Sequence, residues 1–166
     1  MVNAGDILTA DILNDLTEGM KARGVRDSTS SNSTSTTAVG IKRLDNITLV
    51  SGKTYTVEMY GHPNSGTVSD NIRREVRYAI GSTATTSSTQ LKGSVSFAKV
   101  DAGGFFWRTT FTAGTTGYPA AGVASFAFCF ARDAGSGTCN FFTDSVRDTG
   151  FKIYRDGSLI ATGTDM

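Results

Sequence analysis

Histidine, cysteine, proline and charge are all scarce in this chain, and each scarcity removes a class of chemistry. The 166 residues hold one histidine, His62, and two cysteines, Cys129 and Cys139. Without a second histidine or clustered cysteines, the usual ligand set of a transition-metal site cannot be assembled. Two thiols also fall short of a disulfide framework, and their spacing is not that of a zinc finger. Charged residues are 19% of the chain and the formal net charge is +1. That excludes the long-range positive field on which most nucleic-acid binders rely. No apolar run approaches the ~18 residues of a membrane-crossing helix. The opening MVNAGDILTADIL has neither a basic n-region nor an apolar h-region, so no secretory signal is expected.

Catalytic groupings are equally thin. The 12 Asp and three Glu are scattered, with no D-x-D-x-D-G calcium loop. No G-x-S-x-G motif occurs, and no nucleophile has a base near it. Ser51-Gly52-Lys53-Thr54 resembles the end of a phosphate loop, but the earlier glycine is replaced by Ile47, so a hairpin turn is expected there. His62, followed by Pro63, reads as an exposed turn residue. These absences predict a non-enzyme with no cofactor, no metal and no catalytic residues.

What the chain has in quantity is glycine, serine and threonine: 19 Gly against two Pro, with 17 Ser and 24 Thr. This is the composition of a turn-rich β protein. Residues 1–26 read as an arm containing a short helix. Thr9 can cap it, Asp11 suits its first turn, and Gly24 can end it after Lys21 and Arg23. Ile12, Leu13, Leu16 and Met20 form one apolar stripe. A helix of about 13 residues is marginal alone, so this stripe needs a surface to pack on. Residues 27–37, DSTSSNSTSTT, are small and polar, and read as a flexible linker or extended arm. The Asn32-Ser33-Thr34 sequon inside them carries little weight without a secretory signal.

From residue 38 the hydrophobic period becomes two. Strands are expected over 38–44, 53–60, 72–80, 91–100, 105–113, 123–132, 138–145, 151–155 and 158–162. Turn clusters separate them: Ser51-Gly52, Pro63-Asn64-Ser65-Gly66, Asp101-Ala102-Gly103-Gly104, 133–137 and Asp156-Gly157, the last a strong hairpin signal. About eight or nine short strands predict a mainly β fold over 38–166, an antiparallel β-sandwich with a jelly-roll-like connection as one option. Tyr55, Val57 and Met59 should share one face, as should Val76, Tyr78 and Ile80. Phe126, Phe128 and Phe130 should form the core, with Ala127, Cys129 and Ala131 packing closely against a helix, a sheet or a partner chain.

If 133–135 form a three-residue hairpin loop with Gly135 left-handed, Cys129 and Cys139 lie opposite each other. They are then either buried reduced thiols or a cross-strand disulfide formed after release from the cell. Arg73, Arg74 and Arg77 around Glu75 read as a solvated or subunit-facing strand surface. Tyr60, Asn64 and Tyr118 are loop-placed candidates for a carbohydrate-binding sandwich, although nothing in the sequence links them.

One resemblance goes further. Ala4-Gly5-Asp6-Ile7-Leu8-Thr9-Ala10-Asp11-Ile12-Leu13-Asn14 resembles the AG-x-x-L-T-A-x-x-L-N opening of many tail and minor structural proteins of tailed bacteriophages. L-x-x-G-x-x-Y-x-V at 49–57, R-x-x-x-R-Y at 73–78, T-A-T-T-S-S-T-x-L at 83–91 and F-A-R-D-A-G-S-G-T at 130–138 are similar to small virion proteins of actinobacteriophages. The resemblance implies a virion structural protein, most concretely a capsid decoration (minor capsid) protein that cements the shell. It implies anchoring through Leu8, Ala10, Leu13 and Asn14, to which the helix stripe adds Ile12, Leu16 and Met20. The implied partners are the major capsid protein or other virion proteins and further copies of the chain, a trimer being favoured, with no nucleic acid and no membrane. A minor tail or fibre-base protein is the alternative within that class, and a carbohydrate-binding module the alternative outside it.

Overall fold

The computed structural model describes residues 31–33, 36–65, 67, 70–97, 104–142 and 149–166. The arm and helix expected over 1–26, including Leu8, Ala10, Ile12, Leu13, Asn14, Leu16 and Met20, lie outside the described residues.

The phenylalanine run organises the rest. Strand β7 (Gly122–Ala134) is 13 residues long and lies between β2 (Val39–Leu49) and β4 (Asn71–Ile80), antiparallel to both. With β5 (Thr89–Phe97) and β11 (Thr164–Asp165) these form a five-stranded sheet in the order β11-β2-β7-β4-β5. The second sheet has six strands, β1 (Ser31–Ser33), β8 (Cys139–Phe142), β3 (Thr54–Ser65), β9 (Gly150–Arg155) and β10 (Ser158–Thr162) in that order, with β6 (Phe105–Thr112) also on β3. The expected antiparallel sandwich is therefore present. Its described residues hold eleven strands and no helix.

Alternation sets the faces as expected. Phe126, Phe128 and Phe130 are fully buried and meet Tyr55, Val57, Met59, Phe141, Phe151 and Ile153 from the other sheet. Phe128 touches Phe105, Phe141 and Phe151 at ring-centroid distances of 6.0, 5.5 and 6.0 Å. Each such side chain contributes about 1.5–3 kcal/mol through the area it removes from water. Tyr55 adds a fastening: its hydroxyl accepts from Val50 N (2.9 Å) and donates to Thr48 O (3.2 Å), tying the turn that follows β2.

Several local expectations are corrected. Ser51-Gly52 is a tight turn, with Lys53 N donating to Val50 O, but it carries the chain from one sheet to the other and is not a hairpin. Pro63-Asn64-Ser65 is no turn, because β3 runs through it to pair with β8. Among the described residues, 62–65 have a partner strand on one side only, the condition under which a strand accommodates proline. His62 is accordingly a half-buried strand residue. The 133–137 segment does not close a hairpin either: β7 and β8 belong to different sheets. Asp156-Gly157 does close the β9–β10 hairpin, with φ of 49° and 92°. Ser31–Ser33, inside the stretch read as linker or extended arm, forms a strand whose backbone pairs with β8.

Candidate functional site

The two outer faces of the sandwich differ. On the five-stranded sheet the small side chains Ala127 and Cys129 are covered by the chain's own β4–β5 connection, through Ala84, with Ala38 and Ala79 beside them. Ala84 N donates to Ser125 Oγ at 2.9 Å, and Ser125 Oγ donates to Asp45 Oδ1 at 2.6 Å. Close packing is present behind the phenylalanine strand, but what supplies it is a loop of the same chain and not the expected helix, sheet or partner chain.

On that face Glu75 lies opposite Cys129 and is 2% exposed. Arg73 Nε donates to its Oε1, and Arg77 Nε to its Oε2 at 2.6 Å. Arg73 also reaches Asp133 (3.2 Å) and Thr36 O (3.0 Å), and Arg77 reaches Ser88 O (2.7 Å). Burial works against the Arg73 charge, but Glu75 and Asp133 outweigh it and raise the guanidinium pKa. Of the basic cluster read as a solvated or subunit-facing strand surface, Arg73 and Arg77 are partly exposed and paired with Glu75 within the chain, and Arg74 is not part of that surface. Arg74 points inward beside Phe105, its guanidinium 4.6 Å from the ring centroid. Next to this face an open polar cleft of about 420 Å³ is lined by Asp45, Asn46, Gly81–Thr83 and Val123–Ser125. Burial opposes ionisation of Asp45, yet the Ser125 and Arg43 hydrogen bonds prevail and hold its pKa below the ordinary value.

The outer face of β6, β3 and β9 has no such cover among the described residues. Register places its side chains in three rows. Thr110, Thr56 and Tyr154 form the first, Arg108, Glu58 and Lys152 the second, and Phe106, Tyr60 and Gly150 the third. In the first row Thr56 and Thr110 hydroxyls meet at 3.1 Å. In the second, Glu58 accepts from Arg108 Nη2 at 2.9 Å and from Tyr154 Oη at 3.3 Å. Burial, then the Glu58 charge, pushes the Tyr154 pKa up. In the third row Phe106 is 60% exposed. Tyr60 is laid across β9, since a Cβ on Gly150 would fall 2.1 Å from its Cζ. Lys152 Nζ stands 5.4 Å from the Tyr60 ring centroid and the Arg108 guanidinium 5.6 Å from that of Phe106. A cleft of about 150 Å³ opens between Thr56, Arg108, Tyr154 and Gly157.

The loop-placed trio Tyr60, Asn64 and Tyr118 is not brought together. Tyr60 and Asn64 are β3 residues, whereas Tyr118 stacks on Phe111 at 6.3 Å, at the opposite end of β6 from Phe106. Sequence reading missed Phe106, Arg108, Glu58, Lys152 and Tyr154 as a group. One signal was available: Phe106 falls on the polar side of a strand whose apolar stripe is Phe105, Trp107 and Phe111.

No protein-family model matches the chain, and no curated protein matches it. Among solved structures it is similar to one described as "CBM4 structure and function", at 15% identity and a TM-score of 0.33. The match covers 75% of this chain and 64% of that one, so the chain spans less than two thirds of its length. A likeness at that score carries no argument about function.

Proposed function

We propose that this protein is a non-enzymatic structural component of a tailed-bacteriophage virion, a capsid decoration protein whose N-terminal arm docks on the assembled shell. Strand β1, the first described segment of the chain, carries the proposal. Ser31–Ser33 is clipped to β8 by antiparallel backbone pairing, in the register Ser31↔Phe141, Asn32↔Asn140, Ser33↔Cys139. A leading segment held at a sheet edge can pass the pull of a docked arm into the sandwich through several hydrogen bonds at once. The opening motif at 4–14 supports the same reading. Binding the assembled lattice and not its free subunits stabilises that lattice by mass action. The partners in this reading are the major capsid protein and further copies of this chain. A minor tail or fibre-base position is the variant that copy number separates.

Deleting residues 1–26 should abolish association with purified particles while leaving a folded sandwich by circular dichroism. Leu13→Asp should weaken association strongly, and Lys53→Ala, which touches only the exposed Lys53–Asp156 pair, should not. Decoration by the truncated chain would refute the anchoring role. Quantitative mass spectrometry of particles should count hundreds of copies, a handful placing the protein in the tail.

A further inference from the structure

Attachment through the arm gives no role to the outer face of β6, β3 and β9. We propose that it is a binding site for an oligosaccharide, seated on Tyr60 and Phe106 and reaching the Tyr154 cleft across the Arg108–Glu58–Lys152 row. A sugar ring has an apolar C–H face and a rim of hydroxyls that both donate and accept. It is recognised by aromatic faces flanked by fixed polar groups.

The aromatic part is built into the sheet. Tyr60 lies across the strands only because residue 150 is glycine, and its neighbour on β6, Phe106, is 60% exposed. Phe106 is thus a large apolar side chain exposed on an otherwise polar strand face, beside Tyr60 in the pairing register. The polar part is equally fixed. Glu58 is 7% exposed and both its oxygens are engaged, Oε2 by Arg108 and Oε1 by Tyr154, so it fixes the positions of the guanidinium and the tyrosine ring that a ligand would meet. The Arg108 side chain remains 57% exposed, leaving guanidinium donors for a ligand.

Length decides between one sugar and several. Tyr154 lies opposite Thr56, four positions along β3 from Tyr60. At 3.2–3.4 Å per residue the two aromatic stations are about 13 Å apart. That span calls for a chain of sugars. The middle row carries two cations and one anion, which also suits a sugar acid whose carboxylate pairs with Arg108.

The test is an array of neutral and uronic-acid oligosaccharides probed with the full chain, followed by titration calorimetry of the best ligand. Binding is expected, weakened about tenfold or more by Phe106→Ala and by Tyr60→Ala. Arg108→Ala should weaken uronic-acid ligands more than neutral ones if the sugar acid is preferred, and both alike if it is not. Phe106 is exposed, so Phe106→Ala keeps the fold, which an unchanged melting temperature verifies. No binding on either arm at millimolar ligand would overturn the proposal. So would wild-type affinity in Phe106→Ala, or a change in that variant's oligomeric mass in place of its glycan affinity. Particle association of Phe106→Ala is expected to be unchanged, which separates this site from the arm.

Discussion

Arg74 sits on the inner face of β4 between Ile72 and Val76, both fully buried, and is itself 9% exposed. Burial pushes its pKa down, and its Nε has no hydrogen-bond acceptor among the described residues. Among the described residues its guanidinium meets the Phe105 ring. A cation inside a sandwich without a carboxylate costs free energy, of which a cation–π contact returns only part. Arg74→Met should therefore stabilise the protein, by about 1 kcal/mol or more. The midpoint of urea unfolding measures this, and an unchanged or lower midpoint would show that the guanidinium contributes more than it costs. Glu75, one residue on, is the opposite case: a buried carboxylate with two arginines on it. Adjacent positions on one strand fall on opposite faces, and alternation alone predicts which face each takes. It does not say that the outer face would be closed over by a loop.

At the scale of elements, the turn after β7 works as a receptor for Asp70, the residue before β4. Asp70 accepts from Ser65 Oγ (2.6 Å), Ser136 N (2.9 Å) and Gly137 N (2.9 Å). The Ser65 bond, with those backbone amides, outweighs burial and holds its carboxyl below the usual range. Gly135 has φ of +102°, and a Cβ there would fall 1.8 Å from Asp70 Oδ1. The D-A-G-S-G stretch thus reads as an ordinary turn in sequence and serves as a carboxylate clamp in the fold. Because the folded pKa is depressed, this stability is present above the unfolded value, about 4, and is lost as pH falls through the folded one. Denaturant midpoints should accordingly drop as the medium is acidified past pH 4. Asp70→Asn should flatten that dependence, leaving the part contributed by Asp45. Gly135→Ala should lower the melting temperature by several degrees, a cost of about 2 kcal/mol. A Gly135→Ala variant with wild-type stability would remove the clamp from the account.

For the molecule as a whole, the arrangement of two sheets decides the fate of the cysteines. Cys129 faces out of the five-stranded sheet beside Ala84, while Cys139 faces the core from the other sheet. Both are free and fully buried, and burial pushes the Cys129 thiol up to about 12. The disulfide alternative fails because the two strands never pair. Both thiols should resist alkylation in the native protein at pH 8 and react fully in denaturant, with equal mobility in reducing and non-reducing gels. A crosslinked species in native material would contradict this placement.

Strand positions, their inward faces and the Asp156-Gly157 hairpin could be read from the chain directly. Side-chain alternation and left-handed turn residues are local properties, settled within a few residues. Sheet order, the Glu75 clasp, the Asp70 clamp and the Tyr60–Phe106 face could not. Each joins segments tens of residues apart, and which strand edges meet depends on how the whole set closes its backbone hydrogen bonds around one core. Composition and period made this a β-sandwich; packing alone decided which of its faces the described loops cover.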